Sequence, residues 1–141
     1  MSEELYHENF NVSGGDFNNA GKVSTDIKSI LSELGIDPQV IRRAVIASFE
    51  AEMNMVMYAE EGILTLKLMQ DYINIICKDR GQGIKDIDQA MQEGFSTATP
   101  EMREQGFGAG MGLPNIKKNA DVFHIESEVG VGTTLDLRFN F

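Results

Sequence analysis

The chain has 141 residues, with 12 basic against 22 acidic side chains and a formal charge of −10. That length fits one compact domain with a single core, and the acidic balance excludes both a large nucleic-acid footprint and electrostatic docking on an anionic membrane. One cysteine, Cys77, excludes an intramolecular disulfide and suits a reducing compartment.

Residues 4–12 alternate weakly, which predicts a first strand ending at Ser13-Gly14-Gly15. From Asp16 to Leu34, Phe17, Ala20, Val23, Ile27, Ile30, Leu31 and Leu34 recur with helical period, and Gly35 marks a stop. Asp37-Pro38 reads as a cap followed by proline in the first turn of a second helix. That helix runs to about Ala59, and Glu60-Glu61-Gly62 ends it. Ile63–Met69 and Tyr72–Lys78 alternate as two strands joined by a tight Gln70-Asp71 turn. Residues 85–111 lack sustained periodicity beyond a short helix near Asp86–Met91. A loop of that length in a small domain usually serves a function. Pro114–Ala120 reads as helical, and Val122–Ser127 with Thr133–Phe139 as a last hairpin around Gly130-Val131-Gly132. The expected fold class is an α/β (α+β) two-layer sandwich, with helices covering one face of a mixed, mostly antiparallel sheet.

No apolar run approaches the roughly 20 residues of a membrane span. Met1-Ser2-Glu3-Glu4-Leu5 lacks the basic and apolar regions of a signal peptide, so a cytoplasmic protein is expected. Cys77 lies on an alternating strand and reads as a small buried hydrophobe rather than a nucleophile. His7 and His124 lie outside any metal-ligand spacing and read as structural, and the methionines as core filler.

Three segments carry chemistry. Glu50 and Asn54 are four apart on the second helix, so both project from one face. An amide oxygen is a good Mg²⁺ ligand, and a carboxylate one turn away can accept a proton or orient a nucleophile. Taken alone, the pair fits a solvated polar face with incidental spacing better than a site. Asp79-Arg80-Gly81-Gln82-Gly83-Ile84 follows a strand directly. Its carboxylate can meet the exocyclic amine of adenine, while the glycines admit the ring close to the backbone; a simple turn has the same composition. Gly106, Gly108, Gly110 and Gly112 then precede Leu113-Pro114 at a helix start. Alternate glycines there can aim backbone N–H groups at phosphate oxygens, aided by the helix dipole. Other nucleotide motifs fail on inspection. Met111 and Leu113 stand where a dinucleotide fingerprint needs glycine. Gly21-Lys22 is followed by Val23 where a P-loop needs Ser or Thr, and no His-Arg-Asp run exists.

In this order and spacing, the three segments resemble the GHKL ATPase superfamily of gyrase, Hsp90, histidine kinases and MutL. The likeness is greatest to bacterial anti-sigma factor and stress-switch serine/threonine kinases. It covers about residues 16–139 and includes Phe95-Ser96-Thr97-Ala98-Thr99-Pro100-Glu101-Met102-Arg103, similar to the family's lid, and Gly130-Val131-Gly132-Thr133-Thr134, similar to its last motif. The resemblance implies one Bergerat-type ATP-binding kinase domain over residues 1–141, with a lid at about 85–111 and with ATP and Mg²⁺ as cofactors. Asn54 would coordinate Mg²⁺, and Glu50 would act as general base or orienter for an incoming Ser/Thr hydroxyl. Asp79 would bind the adenine amine, with Gly81, Gly83 and Ile84 against the ring and Thr133 supporting the aspartate. Gly106, Gly108, Gly110, Gly112 and Leu113 would wrap the phosphates, and Arg103 would reach the γ-phosphate. This fits phosphoryl transfer, in which positioning and charge neutralisation dominate. Met55 departs from the family, which usually has a small residue after the Asn.

The implied partner is a small antagonist-type regulatory protein as phosphorylation substrate, with a sigma factor or a phosphatase as a second partner. Homodimers occur among similar kinases, although the sequence shows no clear exposed apolar stripe for one. Two other function classes compete. A non-catalytic interaction module would have no need of Glu50. The ATP-binding half of a histidine kinase usually carries Lys where this chain has Met57, and needs a phospho-accepting histidine helix that neither histidine supplies.

Overall fold

The structure, a computed structural model, describes residues 3–92 and 112–141. Strand β1 (Glu4–Ser13) leads through one 3-10 turn (Phe17–Asn19) to helices α1 (Lys22–Glu33) and α2 (Pro38–Tyr58). A hairpin of β2 (Ala59–Met69) and β3 (Tyr72–Gly81) follows, then a short α3 (Ile87–Ala90) and α4 (Gly112–Asn119). The chain closes with the hairpin of β4 (Val122–Glu128) and β5 (Gly132–Asn140). The strands form one sheet in the order β1-β2-β3-β5-β4, and every described pairing is antiparallel.

Strict alternation decides which face is covered. Leu64, Leu66, Ile73, Ile75, Leu137 and Phe139 point to one side and meet Ile27 and Leu31 of α1, Ala44 and Ala51 of α2 and Ile116 of α4. Cys77 sits among them, buried as expected, and that burial pushes its thiol far above the usual range. The other face is open and largely polar. Asn9 pairs with Thr65 and Asn74 with Asp136 across strands, and Arg138 stacks over the Tyr72 ring at 4.6 Å. Among the described residues no helix is long and apolar enough to cross a membrane.

Three boundaries differ from the sequence expectation. Helix α1 starts at Lys22 rather than Asp16, because Gly21 adopts φ +95° and interrupts the helix. Phe17 and Ala20 still pack on the core, so their periodicity reports burial and not a hydrogen-bonded helix. The run Glu60-Glu61-Gly62 is not a terminator: β2 begins at Ala59, immediately after α2, and Gly62 pairs with Asp79. Helix α4 begins at Gly112, two residues before Pro114.

Two polar devices fix the helices. Asp37 caps α2 through the Gln39 N–H at 2.8 Å. Arg43 of α2 donates to the Asn119 carbonyl at 3.3 Å, to Asp121 Oδ2 at 2.9 Å and to the Asn140 carbonyl at 3.3 Å. This clamp holds the C-terminal end of α4, and the buried Ile116 anchors its middle. The N-terminal end of α4 is thereby directed at α2.

Candidate functional site

Glu50 and Asn54 lie on the face of α2 that α4 approaches. A Cβ on Gly112 would stand 3.3 Å from Glu50 Oε2, 3.3 Å from Asn54 Oδ1 and 3.5 Å from Asn54 Nδ2. The first residue of α4 therefore meets both polar groups at once, and the missing side chain keeps the space between them open. Asn115, one turn along α4, hydrogen-bonds the Glu50 carboxylate. Burial raises the Glu50 pKa above the ordinary carboxylate range, and the Asn115 bond opposes part of that rise. Asn115 was not singled out from the sequence. Its place one turn after Gly112 was the available signal, but nothing in the spacing ties it to a residue on α2.

Asp79 stands near the end of β3. The alternation that buries Ile75 and Cys77 turns its side chain to the same, helix-covered side. It is half-buried, which raises its pKa, while the Thr133 N–H donates to Oδ1 at 3.1 Å and opposes the rise. Among the described residues, Oδ2 takes no hydrogen bond. Thr133 reaches Asp79 through its backbone rather than its hydroxyl, which lies 2.8 Å from Ser127 Oγ. Beyond Asp79 the chain threads between two backbones. A Cβ on Gly81 would come within 2.9 Å of the Tyr58 carbonyl. At Gly83, with φ +73°, one would stand 2.3 Å from the Glu128 carbonyl. The Ile84 N–H then donates to Ser127 Oγ at 2.7 Å. Ser127 is the second residue that sequence reading missed. It looks like any polar residue of an alternating edge strand, and only the hairpin register brings it opposite Thr133.

Met55 links the two clusters. It is 2% exposed, and its sulfur lies 2.8 Å from where a Cβ on Gly62 would sit, with Asp79 Cβ 3.3 Å from the same point. The bulk after Asn54 is therefore accommodated by a glycine on the neighbouring strand, beside the aspartate. The structure thus brings Glu50, Asn54 and Gly112 together, and separately Asp79, Gly81, Gly83, Ile84 and Thr133. Leu113 packs against the core at the base of α4. Arg103, Gly106, Gly108 and Gly110 lie outside the described residues, as does most of the expected lid. His7 and His124 sit on the exposed sheet face beside Glu4 and Glu126, each at 3.2 Å.

The profile of the histidine kinase-, DNA gyrase B- and HSP90-like ATPases matches residues 37–141. The chain is 32% identical over 112 residues to the serine/threonine-protein kinase RsbT of Bacillus subtilis, a match that covers 77% of this chain and 78% of that one. It is 35% identical over 105 residues to an anti-sigma F factor of Caldanaerobacter subterraneus, 70% of each chain. A crystal structure of the RsbU and RsbW domains of a Mycobacterium tuberculosis protein superposes with a TM-score of 0.63 at 18% identity. It covers 94% of this chain and 32% of that one. That last likeness is one of fold.

Proposed function

From the premise that this chain belongs to the histidine kinase-, DNA gyrase B- and HSP90-like ATPase family, we propose that it is a Mg-ATP-dependent serine/threonine protein kinase. Its substrate is a small antagonist-type regulatory protein, in keeping with its similarity to a serine/threonine-protein kinase and to anti-sigma factors. The observation that carries the reading is the opening at Gly112, where Glu50 and Asn54 meet the start of α4 across a gap that a single methyl group would fill. A carboxylate and an amide oxygen beside a helix N-terminus suit a metal-bound anion.

In this reading Asn54 would hold Mg²⁺ through its side-chain oxygen, and Asp79 would accept from the purine amine. Gly81, Gly83 and Ile84 border the ring. Glu50, partly buried, orients the acceptor hydroxyl and takes its proton. Gly112 and Leu113 would flank the phosphates, and Gly106, Gly108, Gly110 and Arg103 would contribute from the lid expected at about 85–111. Bound Mg-ATP supplies the γ-phosphoryl group and a cation that neutralises the transferring charge. The protein contributes position and electrostatics.

A second reading is favoured by the anti-sigma names among its relatives. In it, nucleotide sets the shape of a surface that holds a sigma factor or a phosphatase partner, without transfer. Incubation with radiolabelled Mg-ATP and the protein products of neighbouring genes separates the two. Labelling of a Ser or Thr, lost in Glu50→Ala while nucleotide affinity is kept, supports the kinase. Equal labelling by wild type and Glu50→Ala removes Glu50 from the mechanism, and stable complexes without label favour the binding module.

A further inference from the structure

Ser127 sits at the junction of three backbones. Its Oγ receives the Ile84 N–H at 2.7 Å, lies 3.2 Å from the Gly132 carbonyl and 2.8 Å from Thr133 Oγ1. A serine hydroxyl has one proton and two lone pairs. The Ile84 N–H occupies one lone pair. The Gly132 carbonyl has no proton to give, so the Ser127 proton goes to it. The Thr133 hydroxyl then donates to the second lone pair. This arrangement satisfies every group, with the serine hydroxyl fully used.

The Gly132 carbonyl and the Thr133 N–H belong to one peptide unit. In a trans peptide they point in opposite directions from a rigid plane. Ser127 holds one end of that plane, and the other end donates to Asp79 Oδ1 at 3.1 Å. Its neighbours are held by backbone, with β4 paired alongside and the Gly81 N–H donating to the Val131 carbonyl at 3.0 Å, but residue 132 has no side chain to add a restraint. A Cβ there would stand 2.1 Å from the Asp79 carbonyl oxygen. The same serine also fixes the Ile84 end of the turn that begins at Asp79.

We infer that Ser127 is a positioning residue for purine discrimination: by locking the Gly132–Thr133 peptide, it keeps the Asp79 carboxylate aimed at the amine of an adenine ring. The inference rests on the reading of Asp79 as the purine-amine acceptor. It adds a residue that contacts no ligand and sets which purine is accepted. A carboxylate held in place accepts from an amine and repels a ring carbonyl, whereas one free to turn away tolerates both.

The test is calorimetric titration of wild type, Ser127→Ala and Ser127→Thr with Mg-ATP and with Mg-inosine triphosphate, in which a carbonyl oxygen replaces the amine. Wild type favours ATP. Ser127→Ala narrows that preference about tenfold, the scale of one lost hydrogen bond, and Ser127→Thr, which keeps the hydroxyl, restores it. Ser127→Cys keeps the shape with a weak donor and acceptor, so it shows the same narrowing should the alanine variant fail to fold. An equal loss of affinity for both nucleotides in Ser127→Ala or Ser127→Cys, at an unchanged ratio, reduces Ser127 to a structural role and overturns the inference alone. A wild type that binds both nucleotides equally, or an Asp79→Asn variant with the wild-type preference, overturns the reading of Asp79 and the inference with it.

Discussion

Glu52 is 2% exposed on α2, and its carboxylate accepts the backbone N–H groups of Gly21 at 3.0 Å, Val23 at 3.2 Å and Ser24 at 3.0 Å. These are first-turn donors of α1, which no residue of α1 itself can satisfy. The N-cap position is Gly21 and has no side chain to offer. A carboxylate from the neighbouring helix therefore does the capping, favoured further by the α1 dipole. In Glu52→Ala the Val23 and Ser24 donors are left buried at roughly 1–3 kcal/mol each, with a smaller term for the part-buried Gly21. Relief of the carboxylate's own desolvation offsets some of this. The expected net loss is about 3–5 kcal/mol, or about 10–15 °C in Tm for a chain of this size. Glu52→Gln keeps one acceptor oxygen and should lose about half as much. Urea unfolding followed by circular dichroism measures both, and a loss below about 1 kcal/mol at unchanged m-value would show that water caps α1 equally well.

Gly62→Ala should cost about 1–3 kcal/mol by overpacking against Met55 and Asp79. Adding Met55→Ala should recover part of that, and strictly additive losses in the double-mutant cycle would refute the contact. Because burial raises the Glu50 pKa, the folded protein binds more protons than the unfolded chain through the carboxylate range, and stability falls as pH rises there. Glu50→Gln is therefore expected to melt above wild type at neutral pH, with the gain fading as pH falls to about 3; coincident melting curves at pH 7 would contradict it. Asp79→Asn should abolish Mg-ATP binding in isothermal titration, since an amide presents a donor in place of one acceptor oxygen. Retained affinity would place the purine elsewhere.

Much of this protein is legible in its sequence because the signals are local. Alternation marked the strands to within a few residues, Gln70-Asp71 marked the hairpin, and Asp37-Pro38 marked the start of α2. Spacing places Glu50 and Asn54 on one face of α2, since helical periodicity alone does so. Asp79 stands out in the sequence because a carboxylate before two glycines is itself a local pattern. Where α1 starts was hidden, because apolar periodicity records which side faces the core whether or not the helix hydrogen bonds form. Gly21, at φ +95°, breaks them. Asn115, Ser127 and Glu52 were hidden for a different reason. Each acts on a partner distant in the chain: Glu50 across two helices, the Gly132–Thr133 peptide across a hairpin, and the N-terminus of α1. Composition and spacing choose the groups that can do chemistry. Only packing brings α4 against α2 and β4 against β5, because those approaches depend on how buried surfaces fit together, and no short stretch of sequence encodes that.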